Sequence, residues 1–122
     1  MKVTRVFADV QGETHFADQD VPLVNAGPIG NLSVPIPATS VVFRINEAGY
    51  DFDWQVAPQR QIVVLLDGAI DLEVSDGQRR RLNTGEILLL EDTTGKGHRT
   101  RNVEPRERRS LFIILEPEAR LP

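Results

Sequence analysis

Residues 49–68 read Gly49-Tyr-Asp-Phe-Asp-Trp-Gln-Val-Ala-Pro-Gln-Arg-Gln-Ile-Val-Val-Leu-Leu-Asp-Gly68, and this stretch decides the fold of the chain. It ends in a short apolar run, residues 61–66, that is closed by Asp67-Gly68. Asp-Gly between two such runs is a strong hairpin signal. The next run, residues 70–75, alternates apolar and polar side chains as a half-buried strand does. The stretch therefore predicts a β-hairpin at the centre of the chain.

The same pattern of short runs and turns continues on both sides of this hairpin. Turn signals recur about every 8–12 residues, a spacing typical of an all-β sandwich or barrel. No segment has a sustained period of 3.6 residues, so little helix is expected. Further strands are predicted at residues 40–46, 79–82, 87–90 and 110–116.

Length and composition indicate one soluble domain over residues 1–122. We expect an N-terminal arm and a wrapping loop over about residues 1–39, and a barrel core over about residues 40–116. The formal net charge of -4 argues against a nucleic-acid partner. The chain has no cysteine, no signal-peptide pattern and no apolar run of membrane-spanning length, so a cytoplasmic protein without a membrane partner is expected.

A second stretch completes the pattern: Gly85-Glu-Ile-Leu-Leu-Leu-Glu-Asp-Thr-Thr-Gly-Lys-Gly-His-Arg-Thr-Arg-Asn102. Together the two stretches resemble the two motifs of the cupin superfamily. Gly49 and Gly68 have the spacing of the first motif, while Gly85, His98 and Asn102 fit the second. The resemblance covers roughly residues 40 to 116, and it implies an antiparallel jelly-roll β-barrel that commonly forms a homodimer.

The resemblance also implies a metal site that this chain has largely lost. Metal-bearing cupins use three His and one Glu, and these positions fall on Gln55, Ala57, Gln61 and His98. Divalent first-row metals prefer imidazole and carboxylate over a neutral amide oxygen. A divalent metal such as Fe, Mn, Ni or Zn, held by His98 with Gln55 and Gln61, is therefore a weaker expectation than no tightly bound metal.

Binding of a small polar or anionic molecule in the barrel mouth is the predicted function. A binding cavity needs a few convergent polar groups in a mostly apolar wall. Arg44 is a charge within an apolar strand that faces either the pocket or water, and Arg60 pairs either with an anion or with a rim carboxylate. The candidate ligand-binding residues are Arg44, Gln55, Arg60, Gln61, His98 and Thr100.

Two other classes of function stay open. An enzyme is one: a metal-dependent oxygenase or isomerase, or a metal-free lyase or isomerase with His98 as catalytic acid or base. A structural module whose pocket is closed by side chains is the other. The arginines at 79–81, 106, 108 and 109 are interpreted as solvated charges near strand edges and turns rather than as a nucleic-acid surface.

Overall fold

Twelve short strands make up most of the molecule, whose computed structural model describes residues 1–122. A single turn of 3₁₀ helix, Gly27–Ile29, is the only helical element, so no helix has the length and hydrophobicity to cross a bilayer. The strands are β1 (Lys2–Ala8), β2 (Thr14–Asp20), β3 (Val24–Asn25), β4 (Asn31–Leu32), β5 (Ala38–Asn46), β6 (Asp51–Gln55), β7 (Gln61–Leu65), β8 (Ala69–Val74), β9 (Arg79–Asn83), β10 (Ile87–Leu90), β11 (His98–Asn102) and β12 (Arg108–Leu115).

The strands form two main sheets that pack face to face. One sheet has six strands in the order β2-β1-β10-β7-β12-β5, the other has four in the order β6-β11-β8-β9, and β3 and β4 form a separate small hairpin. Every pairing is antiparallel except that of β1 with β10. The all-β class predicted from the turn spacing is confirmed, in the form of two facing sheets. The central hairpin predicted at Asp67-Gly68 is wrong, because this turn carries the chain from β7 in one sheet to β8 in the other.

Alternating apolar residues fill the space between the two sheets. On β7, Gln61, Val63 and Leu65 are buried while the residues between them are half-exposed. These residues face the buried side of β8, where Ile70 and Leu72 lie. A smaller cluster covers the other face of the six-stranded sheet, where residues of the N-terminal and C-terminal segments pack against Leu89 of β10; it consists of Val3, Val21, Leu89, Leu115 and Ala119.

The first twenty residues differ from the expected N-terminal arm. They form β1 and β2, and β1 lies inside the six-stranded sheet between β2 and β10. The physical reason is that β1 carries buried Val3 and Val6, which complete the apolar faces of the sheet. Residues 21–37 contain only the short β3–β4 hairpin and the 3₁₀ turn between its strands.

Two carboxylates hold His15 where the loop after β1 meets the turn after β8. Its Nε2 lies 2.7 Å from Oδ2 of Asp9, and its Nδ1 lies 2.9 Å from Oδ2 of Asp76. The hydrogen bonds with Asp9 and then with Asp76 raise the pKa of His15 above its ordinary value of 6.5. The protonated imidazole therefore joins two turns that are distant in sequence.

This cluster predicts a stability that falls as the pH rises. The pKa of His15 is higher in the folded than in the unfolded chain, so its stabilisation is complete below 6.5 and is lost as the pH rises through the folded-state value. Urea unfolding at a series of pH values above 6.5 measures this for the parent and for His15→Gln. The gap between their midpoints should narrow with rising pH, and a gap that stays constant contradicts the assignment.

Candidate ligand-binding cavity

A cavity of about 320 Å³ lies between the two sheets. Since a water occupies about 30 Å³ of liquid, the space corresponds to roughly ten waters. It lies at the lower end of the range of ligand pockets. A module whose pocket is closed by side chains does not fit this observation. Most of the wall is apolar, and this part consists of Phe52, Val56, Ala57, Pro58, Val63, Leu65, Ile70, Leu88, Leu90, Phe112 and Ile114.

Two glutamines and a histidine form the polar end of the cavity. Gln61 begins the inward face of β7, while Gln55 of β6 pairs directly with His98 of β11. Gln61 is only 6% exposed and Gln55 is half-buried, and neither side-chain amide has a hydrogen-bond partner within the protein. These two groups are therefore available to a polar molecule in the cavity, and Thr100 lies further along the same wall.

His98 is held by a carboxylate that the sequence did not single out. Its Nδ1 lies 2.6 Å from Oδ2 of Asp92, which is fully buried in the loop after β10. A carboxylate only accepts hydrogen bonds, so Nδ1 donates to it, and in the neutral imidazole Nε2 is then an acceptor. Nε2 has no partner within the protein, and His98 lines the cavity. The other oxygen of Asp92, Oδ1, is buried without a partner.

Gly97 explains why the chain can bring His98 so close to β6. Its φ of +78° lies in the left-handed region that favours glycine. A Cβ at this position would lie 2.2 Å from the backbone oxygen of Gln55. The close approach of the two strands at the polar end therefore requires a glycine immediately before His98.

Two arginines define the other end of the cavity. Arg108 of β12 is 4% exposed and donates to Oδ1 of Asn102 at 2.9 Å and to Oδ1 of Asn46 at 2.6 Å. Arg44 of β5 lies with its guanidinium carbon 4.8 Å from the centre of the Tyr50 ring. Burial, and then the positive charge of Arg44, lower the pKa of Arg108 below its ordinary value.

Neither arginine forms an ion pair with a carboxylate, although Asp67 attracts Arg108 from a longer distance. No carboxylate oxygen lies within 4.0 Å of the guanidinium nitrogens of Arg44 or Arg108, and the cavity wall contains no acidic side chain. A buried charge is normally paired, because removing it from water is costly. The cavity is therefore a positively charged environment that favours an anion.

The structure corrects two expectations about arginines. Arg60 does not line the cavity; its Nη2 lies 2.7 Å from Oε2 of Glu91, a carboxylate that also binds Arg5. Burial opposes ionisation of Glu91, but hydrogen bonds from Arg5 and Arg60 hold its pKa below the ordinary value. Arg108, interpreted from sequence as a solvated charge, is instead buried, because it shares the inward face of β12 with Phe112. Trp54 is 41% exposed and lies outside the main cavity.

The donor groups do not fit a divalent metal of the kind that cupins carry. Of the four ligand positions, His98 offers one imidazole, Gln55 and Gln61 offer neutral amides, and Ala57 offers nothing. Asp92 is bonded to His98 and is not part of the cavity wall. No group of three or more His, Cys, Asp or Glu side chains that could hold a metal ion exists in the chain.

Comparisons with known proteins identify the fold and no function. No family model and no curated protein matches the chain. Similar solved structures include a conserved protein of unknown function from Streptococcus pyogenes (20% identity, TM-score 0.50, 65% of each chain covered), so this chain spans just under two thirds of its length. Two others are named as cupins: a cupin 2 conserved barrel domain protein from Leptotrichia buccalis (21% identity, TM-score 0.45, 80% of this chain and 40% of that one) and a cupin-2 domain containing protein from Shewanella frigidimarina (16% identity, TM-score 0.43, 72% and 86%).

The fold is all-β, with two facing sheets, as the strand and turn pattern predicted. The framing glycines lie in turns or next to them, and His98 lies on the wall of the cavity between the sheets. At these sequence identities the likeness concerns the fold alone. The reaction or the ligand has to be inferred from the residues of the cavity.

Proposed function

We propose that this chain binds a small anionic molecule in the cavity between its two sheets. The observation that carries the proposal is the pair Arg44 and Arg108, two cations next to a cavity that has no acidic side chain. Arginine presents its N–H donors in a planar fork that matches a carboxylate or phosphate. An anion at this position supplies the ion-pair partner that both arginines lack.

The mostly apolar wall restricts the rest of the ligand. A small apolar body fills the middle of the cavity, next to Val63, Leu65 and Phe112. Burial of such a body contributes roughly 25 cal/mol for each Å² of apolar surface removed from water. In this proposal only side chains of the protein bind the ligand, without a metal ion. Elemental analysis that finds near one equivalent of Fe, Mn, Ni or Zn per chain contradicts this absence of a metal.

A matched pair of probes tests the proposal. Hexanoate and 1-hexanol have the same apolar chain, but only hexanoate is an anion. We expect hexanoate to shift the amide resonances of residues around the cavity in an NMR titration, with weaker binding at higher salt. We expect 1-hexanol to bind at least tenfold more weakly. Equal binding of the two probes contradicts the proposal.

Proton transfer by His98 is a second candidate function, which the hydrogen bond with Asp92 favours. The hydrogen bond with the buried carboxylate favours the tautomer that carries its proton on Nδ1, and Nε2 of the neutral ring is then an acceptor at the cavity wall. A base in this position can remove a proton from a bound molecule, which is the chemistry of a metal-free isomerase or lyase. Asp92 acts on the substrate only through His98, so it is a positioning residue.

Exchange of carbon-bound hydrogen tests this second function. For 5-oxohexanoate in D₂O, we expect the protein to accelerate exchange of the hydrogens next to the ketone. His98→Ala should reduce the accelerated rate at least a hundredfold, the usual contribution of a general base. Asp92→Asn should lower the rate and change its dependence on pH. An exchange rate that is the same in the parent and in folded His98→Ala contradicts this role.

The expected homodimer stays a prediction, and the outer edge of the six-stranded sheet supports it. β5 forms this edge, where Phe43 is 82% and Ile45 is 64% exposed. Arg44 is the only charged residue between positions 21 and 46. Natural sheet edges are usually protected by charges, and this one is not. Light scattering should give the mass of a dimer for the parent and a smaller mass for Phe43→Lys.

A further inference from the structure

The two polar ends of the cavity point to a more specific class of ligand. We propose that the ligand is an acid with an uncharged hydrogen-bonding group at its other end: the anion binds Arg44 and Arg108, and the far group binds Gln61 and its neighbours. This inference rests on the proposed function, since it assumes that the arginine end holds the anion.

Strand register gives the separation of the two ends. On β12, Ser110 lies opposite Arg44 and Ile114 lies opposite Gln61. These positions are four strand residues apart, about 13 Å along the strand. The guanidinium of Arg44 leans toward the middle of the cavity, 5.0 Å from the centre of the Phe112 ring. The gap that a ligand bridges is therefore between roughly 7 and 13 Å, the lower value being two strand residues.

The far end requires an uncharged polar group. The Gln61 amide lines the cavity and has no hydrogen-bond partner in the protein, so its N–H groups can bind a carbonyl and its oxygen a hydroxyl. Nε2 of His98 adds an acceptor at the same end. Both glutamines are neutral, so they do not supply the counter-ion that a second carboxylate needs on burial.

The middle of the cavity requires an apolar linker. Val63 and Phe112 are direct neighbours in the register of β7 and β12, and both lie between the levels of Arg44 and Gln61. A polar group at this level would meet no hydrogen-bonding side chain on these strands. A ligand of this class has an anionic group at one end, an apolar middle and an uncharged polar group at the other end.

Three six-carbon probes separate the contributions of the two ends. 5-Oxohexanoate has both polar groups, hexanoate has only the acid, and 2-hexanone has only the carbonyl. We expect 5-oxohexanoate to bind about three- to tenfold tighter than hexanoate, the usual net effect of one added hydrogen bond. We expect 2-hexanone to bind most weakly. Equal affinity of the two acids for the parent protein overturns this inference and leaves the proposed function intact.

A substitution locates the far end. Gln61→Leu removes the amide at similar size, and it should abolish the advantage of 5-oxohexanoate over hexanoate without weakening hexanoate. Gln19→Leu, on β2 and outside the cavity wall, is the matched control and should leave the advantage unchanged. An advantage that survives in Gln61→Leu overturns the assignment of Gln61. If neither acid binds the parent protein, the proposed anion site itself is wrong.

Discussion

Replacing Arg108 with methionine is expected to weaken binding of hexanoate about a hundredfold. Removing one partner of a hydrogen-bonded ion pair at a desolvated position typically costs about 2–5 kcal/mol of binding free energy. Arg108 is 4% exposed, so bulk water screens its interaction with a bound anion poorly. NMR titration of the parent and of Arg108→Met measures the difference.

The same substitution is expected to leave the ligand-free protein almost as stable as the parent. Methionine removes a buried cation that forms no ion pair, and with it the repulsion that this cation experiences from Arg44. Against this gain, the Oδ1 atoms of Asn46 and Asn102 lose their donor. We expect these effects to cancel within about 1 kcal/mol, the net value of one hydrogen bond. A buried charged residue that adds nothing to the free energy of unfolding is typical of a binding site.

Arg109→Met is the matched control for both measurements. Arg109 is the next residue on the same strand, but its side chain is 63% exposed and pairs with Asp67. An exposed pair contributes little. We therefore expect hexanoate affinity within twofold of the parent. If Arg108→Met also binds hexanoate within threefold of the parent, Arg108 does not hold the anion.

Of all single methyl additions near the cavity, Gly97→Ala is expected to lower the free energy of unfolding the most. The new Cβ would lie 2.2 Å from the backbone oxygen of Gln55, so β6 and β11 have to separate. The φ of +78° adds strain of about 1–2 kcal/mol for a residue other than glycine. Together we expect a loss above about 4 kcal/mol, at the upper end of single substitutions. Thermal and urea unfolding measure it.

Gly77→Ala separates the strain from the clash. Gly77 also has a positive φ, +96°, but a Cβ there meets no atom within 4 Å. The control should therefore lose only the strain of about 1–2 kcal/mol. Equal losses at the two positions would show that the contact with Gln55 relaxes at little cost. Because Gly97 precedes His98, any folded Gly97→Ala protein should also have altered cavity resonances.

The central part of the fold could be predicted because its signals are local. Asp-Gly at 76–77 marks the β8–β9 hairpin, and the strands at 61–65 and 87–90 carry apolar runs. Asp-Gly at 67–68 gives the same local signal, but it joins β7 of one sheet to β8 of the other, and no local pattern distinguishes the two cases. β1 was missed although it pairs with the next strand, β2, and its parallel pairing with the distant β10 leaves no local pattern in the sequence. β6 was not predicted as a strand because residues 51–55 alternate acids and aromatics that are mostly exposed.

The candidate site was predictable only in part, for the same physical reason. The positions of Gln55, Gln61 and His98 follow from motif spacing, and all three line the cavity. The position of Arg108 could have been predicted from strand alternation. Phe112 and Ser110 face inward, and the next residue on the same face of β12 is Arg108, which therefore faces the cavity. Asp92 was not predictable, because it lies in an irregular loop whose return toward His98 depends on tertiary contacts.

The order of strands in the six-stranded sheet has a consequence for synthesis on the ribosome. Thr4 pairs with Leu88, and the edge strand β5 finds its only sheet partner in β12 near the end of the chain. Until β12 leaves the exit tunnel, the apolar strand 38–46 has no neighbour on either side. Non-local pairings of this kind fold slowly and leave unpaired strands exposed in the meantime. The nascent chain is therefore most vulnerable to aggregation through the strand that the finished protein leaves at its edge.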